Sequence, residues 1–186
     1  MAEDEGDTLF VIAKGQVKVS IVSEDGREVI LSILGEGNFF GEMSLLDGRP
    51  RSANVTTMQK TELLMVRRAD FLRLIQNIPQ IAIKLLSVLA NRLRKTDRKI
   101  EGLALSDVTG RITQTLLQLA EEQGTPTPEG VLVRNRPTHQ NLANMSGTTR
   151  ETVSRILKRL ENQGYIAHQG KDLIIIGVDP PTSDTG

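Results

Sequence analysis

From Ala82 onward, Leu86, Leu89, Leu93, Thr96, Ile100 and Leu103 follow one another in steps of 4, 3, 4, 3, 4 and 3. That spacing keeps one stripe on one side of an α-helix for roughly three heptads, the pattern of a two-helix interface. Proline suits the first turn of a helix, and Pro79 stands just upstream. The pattern predicts a long helix over about residues 77–105 that pairs with its copy in a homodimer. The alternative is a helix packed on its own domain. Thr96 is the polar member of the stripe. It either sets the register or meets a ligand at the dimer axis, and spacing alone does not choose. The basic stretch over residues 91–99 reads as the solvated flank of such a helix.

Upstream of this helix the pattern is that of short strands. Leu9-Phe-Val-Ile, Val17-Lys-Val-Ser-Ile-Val and Val29-Ile-Leu-Ser-Ile-Leu are β-branched runs, punctuated by Gly15, Gly26 and Gly37. Glu24-Asp25-Gly26 is a hairpin-turn signal. Strands resume over residues 53–57 and 63–66, and a short helix is expected over residues 70–76. Strands at this spacing argue a sandwich or barrel.

Downstream, Ser106-Asp107 can cap a helix over residues 108–123. Residues 124–130 read as a turn-rich connector and residues 132–134 as a short strand. Thr138 then caps a short helix over residues 139–144, Met145-Ser-Gly147 makes a tight turn, and a second helix runs from about Thr148 to Gln163, closed by Gly164. Two helices joined by a short glycine-containing turn make a helix-turn-helix. Leu142, Val153, Ile156, Leu157 and Leu160 supply its core stripe, and Ala143 is small where the helices cross. Tyr165-Ile-Ala and Leu173-Ile-Ile-Ile flank Gly170-Lys171-Asp172 as a β-hairpin wing. The second helix exposes Thr149, Arg150, Glu151, Ser154, Arg155 and Lys158. Arginine can hold guanine through O6 and N7, and glutamate can accept from the cytosine amino group. Read blandly, the same helix is a solvated surface with i,i+4 pairs such as Glu151 with Arg155.

Charge agrees with this division. The chain has 23 basic and 23 acidic residues, yet residues 1–57 carry five basic against ten acidic, and residues 134–171 carry seven against two. A basic end on a neutral chain suggests a polyanion confined to one domain. There is no cysteine, so disulfides and cysteine-ligated clusters are excluded. Two histidines, His139 and His168, are too few for a typical metal site. No run of about 20 apolar residues and no signal peptide is visible, so the expectation is a cytoplasmic protein without a membrane partner. No G-x-S-x-G, H-E-x-x-H or P-loop is present, so an enzyme is not expected.

Three motifs in order carry a family resemblance: Gly41-Glu42-Met-Ser-Leu-Leu-Asp-Gly-Arg-Pro-Arg51-Ser52-Ala53, Asp107-Val-Thr-Gly-Arg-Ile-Thr-Gln-Thr-Leu-Leu, and Arg150-Glu-Thr-Val-Ser-Arg155-Ile-Leu-Lys-Arg-Leu. They resemble the phosphate-binding cassette, the start of the DNA-binding domain and the recognition helix of the cyclic-AMP receptor protein/FNR family. The likeness runs from about Gly6 to Ile176 and is nearer the cyclic-AMP branch than the cysteine-bearing iron–sulfur branch. It implies an α+β fold: a β-barrel or jelly-roll cyclic-nucleotide-binding domain over residues 1–76, a dimerisation helix over 77–105, a winged helix-turn-helix over 106–179 and a disordered tail over 180–186.

The resemblance also implies roles. Gly41, Glu42, Arg51, Ser52 and Ala53 belong to the cassette. Arg51 would hold the cyclic phosphate with its guanidinium fork, Ser52 would add a hydroxyl and an N–H, and Glu42 would accept from the ribose 2′-OH. Thr96 matches the position that meets the purine. The next position is often serine in the family; here it is Asp97, an acceptor only, which suits the adenine amino group, the guanine ring N–H and amino group, or plain solvation beside Arg94 and Arg98. Cyclic AMP is the effector implied, with cyclic GMP open and no metal. Thr138, Thr149, Arg150, Glu151, Ser154, Arg155, Lys158 and Lys171 are the expected DNA contacts, on an inverted repeat with TGTGA-like half-sites. RNA polymerase is the expected partner in activation, by way of residues 125–130. Family members usually carry several dozen residues, including barrel strands, before the segment matching Gly6-Asp7-Thr-Leu-Phe, so N-terminal strands are expected to be missing from the barrel. The competing readings are an effector-independent regulator of the same family and a cyclic-nucleotide-binding regulatory module that does not touch DNA.

Overall fold

The β-branched runs of the N-terminal third form six strands. In the computed structural model, which describes residues 6–177, these are β1 (Thr8–Lys14), β2 (Val17–Val22), β3 (Glu28–Leu34), β4 (Phe39–Phe40), β5 (Asn54–Thr57) and β6 (Glu62–Arg67). They make two three-stranded antiparallel sheets, ordered β4-β1-β6 and β3-β2-β5. The β2–β3 hairpin closes at the glutamate–aspartate–glycine turn, where Gly26 takes φ +80 and its N–H donates to the Ser23 carbonyl at 2.9 Å. Alternation places Ile12, Val17 and Leu34 inward against Val19, Phe40 and Leu63, and a second cluster gathers Leu9, Leu45 and Phe71. The tail expected over residues 180–186 lies outside the described residues.

Between β4 and β5 a helix that the apolar pattern had not revealed, α1 (Glu42–Asp47), is bounded by left-handed glycines, Gly41 at φ 83 and Gly48 at φ 70. Six residues are too few for helical periodicity to register, and Glu42, at its first position, would pass for a solvent-facing charge. α2 (Arg68–Asn77) buries Phe71. α3 (Pro79–Leu105) is one helix of 27 residues, roughly 40 Å long at 1.5 Å per residue. The chain divides into two compact units at the Thr96–Asp97 bond, within this helix. Along its heptad stripe Leu86, Leu93, Ile100 and Leu103 are 60 to 64% exposed in the single chain.

The second unit is built around α4 (Val108–Gln123), capped by the Asp107 carboxylate, which accepts from the Gly110 N–H at 2.7 Å. Residues 124–130 are not a connector: β7 (Gly124–Thr127) pairs with β8 (Gly130–Val133) in a hairpin, because Thr125 and Thr127 suit strands and Pro128-Glu129 turns tightly. α5 (His139–Ser146) runs two residues further than expected, taking in Met145 and Ser146 before Gly147 ends it at φ 62. α6 (Arg150–Asn162) follows, then β9 (Ile166–Gln169) and β10 (Asp172–Ile175), completing a sheet of order β7-β8-β10-β9. Ile112, Leu116, Val133, Leu142, Val153 and Leu157 form the centre of one apolar core shared by α4, α5, α6 and this sheet.

Because Leu157 is 1% exposed at that centre, Leu157→Ala should cost about 2–5 kcal/mol. Urea unfolding followed by helical circular dichroism would show the lowered midpoint.

Candidate nucleotide-binding cassette and DNA-reading helices

The cassette is organised by two arginines. The left-handed turn at Gly41 aims its carbonyl at Arg51, whose Nη1 donates to it at 2.9 Å, while Nη2 donates to the Thr8 carbonyl at 2.8 Å. A Cβ at Gly41 would stand 2.5 Å from Arg51 Nη1 and 2.9 Å from the Thr8 carbonyl oxygen. Glycine is therefore required by both backbone angle and space. Glu42, the next residue, is 4% exposed. Its Oε1 accepts from Nη1 of Arg92 at 2.7 Å, and Nη2 of Arg92 donates to the Phe39 carbonyl at 2.5 Å. The guanidinium also lies 4.8 Å over the Phe39 ring. Arg92 is thus no solvated flank of α3, as its basic neighbourhood suggested; half-buried, it ties α3 to β4 and α1. The signal in the sequence was the need of a buried carboxylate for a cation, but burial of Glu42 was not visible there.

The remaining cassette residues are placed less centrally. Ser52 is exposed, and its hydroxyl donates to the thioether of Met43 at 3.5 Å. Ala53 is half-buried. Thr96 is exposed and turns its hydroxyl back to the Arg92 carbonyl at 3.0 Å, one turn earlier on α3. Asp97 is exposed and belongs to the other compact unit. The structure therefore brings Gly41, Glu42 and Arg51 together, and links Thr96 to them through Arg92. No group of three or more His, Asp or Glu able to hold a metal ion occurs among the described residues.

In the second unit the two helices of the turn motif start at threonines. Thr138 accepts from the Asn141 N–H at 3.1 Å and Thr149 from the Thr152 N–H at 3.3 Å. The turn between them is closed by the Thr148 N–H donating to the Ala143 carbonyl at 3.0 Å. Val153, Ile156, Leu157 and Leu160 face the core, which leaves Arg150, Glu151, Arg155 and Lys158 exposed on the opposite face of α6. Lys171 is exposed at the tip of the β9–β10 hairpin. Ser154 is not simply exposed: it is half-buried, with its hydroxyl 2.7 Å from Nδ1 of His139. Arg111, which the sequence did not single out, donates from Nε to the Ser146 carbonyl at 2.9 Å and from Nη1 to the Ser106 carbonyl at 3.2 Å, fixing the end of α5 against α4.

Residues 1–78 match the cyclic nucleotide-binding domain family, and residues 110–180 match the Crp-like helix-turn-helix domain. The chain is 42% identical over 176 residues to the cAMP-activated global transcriptional regulator CRP of Salmonella typhimurium, spanning 94% of this chain and 83% of that protein. This chain belongs to the CRP/FNR family. Among CRP/FNR regulators, Vfr of Pseudomonas aeruginosa, also cAMP-activated, is 40% identical over 181 residues, 95% of this chain and 84% of Vfr. The solved structure of CLP, the c-di-GMP responsive global regulator of Xanthomonas campestris, covers 95% of this chain and 88% of its own at a TM-score of 0.77 and 32% identity. The chain is thus a CRP/FNR transcription regulator with a cyclic-nucleotide-binding domain and a DNA-binding helix-turn-helix domain. Among the described residues no single helix is long and apolar enough to cross a membrane.

Glu42 keeps 5% side-chain exposure and Arg92 30%, so Arg92→Met strands a buried carboxylate. The loss should be up to about 3 kcal/mol, the low end for breaking a buried pair because Arg92 retains some solvent. Restoring stability by Glu42→Gln in the Arg92→Met background, measured by thermal unfolding, would confirm that the stranded charge is the cause.

Proposed function

We propose that this regulator binds cyclic AMP in the cassette and, as a two-fold dimer, reads an inverted-repeat operator and contacts RNA polymerase. The observation that carries the effector is the convergence of Gly41, Glu42 and Arg51 on one left-handed turn, in a chain whose relatives are named as cAMP-activated. Arg51 supplies a fixed cation for the cyclic phosphate, Ser52 and Ala53, next in the chain, would add a hydroxyl and backbone N–H groups, and Glu42 accepts from the ribose. Thr96 and Asp97 meet the base. A guanine-bearing effector is the second reading, favoured by the Asp97 carboxylate, which complements the guanine ring N–H and amino group, and by CLP, described as c-di-GMP responsive.

The dimer rests on the heptad stripe, of which Leu86, Leu93, Ile100 and Leu103 stand exposed in the single chain and would be covered by a second α3. Two copies of α6 would then lie in successive major grooves about 34 Å apart, the spacing known for helix-turn-helix dimers including this family's founding member. Arg150 and Arg155 hold guanines of a TGTGA-like half-site, and Glu151 the cytosine opposite one of them. Thr138, Thr149, Ser154, Lys158 and Lys171 take backbone roles, with the β7–β8 hairpin turned toward RNA polymerase. The division of labour is a cyclic-nucleotide-binding β unit over residues 1–76, a dimerising helix over 77–105 and a winged helix-turn-helix over 106–179. The activity is regulation in the cytoplasm, without catalysis.

Calorimetric titration with cyclic AMP, cyclic GMP and c-di-GMP tests the effector. Arg51→Ala should lose roughly 1.5–3 kcal/mol of affinity for the preferred nucleotide. Equal affinity of wild type and variant refutes the site, and no heat with any of the three favours an effector-independent regulator. A binding selection on fully randomised duplexes tests the operator. The wild type should return inverted repeats, and Arg155→Ala should relax the preference at one position per half-site, at about 1–3 kcal/mol. An unchanged preference means that Arg155 reads no base.

A further inference from the structure

His139 occupies the first position of α5, and its Nδ1 lies 2.7 Å from Oγ of Ser154 on α6. Its other ring nitrogen, Nε2, is buried and has no hydrogen-bond partner. Three groups that carry or can carry positive charge face the ring: Arg136 from the segment before α5, His168 from β9 and Arg150 from the first turn of α6. Burial first, and then these three neighbours, hold the His139 pKa below the ordinary histidine value.

A serine hydroxyl has one proton to give. When the neutral ring carries its proton on Nε2, Nδ1 is an acceptor, the Ser154 proton is spent on it, and Ser154 offers only lone pairs to anything approaching α6. When Nδ1 carries a proton it donates to Oγ, and the hydroxyl proton is released to point outward. Phosphate oxygens only accept, as do guanine N7 and O6. Ser154, half-buried, lines up on α6 with the exposed Arg150 and Lys158 through i,i+4 spacing, so its hydroxyl borders the surface that a duplex would cover. Phosphates brought to that surface oppose the repulsion from Arg136, Arg150 and His168, which favours the charged ring.

We propose that His139 is a positioning residue for DNA binding: it sets the direction of the Ser154 hydroxyl proton, and engagement of DNA is coupled to uptake of a proton by His139. The free protein then holds the ring neutral, and the complex holds it protonated. Affinity for DNA rises as pH falls through the bound-state pKa and levels off once the free protein is protonated as well.

The test uses the full chain with cyclic AMP and a duplex recovered by the selection described above. Calorimetry at one pH in two buffers of different ionisation enthalpy should report proton uptake by the wild type. Affinity should increase between about pH 8 and pH 5, approaching tenfold per pH unit for each coupled proton. His139→Gln should abolish the uptake and flatten the profile, whereas His168→Gln should keep the uptake. Ser154→Ala should weaken binding at low pH, and in that background His139→Gln should cost little more. Binding by the wild type without proton uptake overturns the coupling, and needs no variant to fold. Losses from Ser154→Ala and His139→Gln that simply add overturn the positioning role. Failure of the wild type to bind any duplex overturns the proposal together with the DNA-reading assignment, and so is distinct from both.

Discussion

One buried carboxylate governs the N-terminal unit. Glu42 sits at the start of a six-residue helix with almost no solvent, where an unpaired charge would cost several kcal/mol. Arg92 answers it from α3, and the same guanidinium reaches the Phe39 carbonyl and covers the Phe39 ring. The long helix is thereby fastened to the strand and turn that shape the cassette. Arg92, the residue that docks it, lies next to the heptad stripe rather than on it, and Leu86 and Leu93 of that stripe remain exposed. The Gly41 turn depends on this arrangement from the other side, since Arg51 caps its carbonyl and leaves no room for a Cβ.

The C-terminal unit solves a different problem with the same residue type. Arg111 on α4 collects the carbonyls of Ser106 and Ser146, and Thr115 and Ser146 share a buried hydrogen bond at 2.9 Å. These contacts satisfy the polar end of α5 within an apolar core, where an unmatched carbonyl would be costly. α6 is then presented on a rigid support, with four of its apolar residues inward and its arginines outward.

Much of this was legible in the sequence because the signals were periodic or local. Asp107 and Thr138 announce their helices as caps, and β2 fits its β-branched run end to end. The heptad steps predict α3, and the inward stripe of α6 marks its outward face. What stayed hidden depended on burial by distant residues. α1 is too short for a period, and nothing adjacent to Arg92 in the chain distinguishes it from the solvated Arg94. The β7–β8 hairpin was concealed by its prolines, which usually interrupt strands but here fall at the edge strand and the turn. Ser154 looked free because its partner, His139, lies 15 residues away on another helix.

The two capping threonines carry a further consequence. Thr138 and Thr149 each spend an oxygen lone pair on a backbone N–H, yet a hydroxyl that accepts still owns its proton. Both side chains are therefore immobilised by their own helices before any partner arrives; Thr138 keeps its proton to offer, and Thr149 shares one hydroxyl–hydroxyl bond of 3.1 Å with Thr152, so that this pair has one proton left between them. Ordering a flexible side chain at an interface costs about 0.5–1.5 kcal/mol, and for these two most of that entropy has already been lost in folding. An anion arriving at the helix starts meets donors whose positions the fold has chosen in advance.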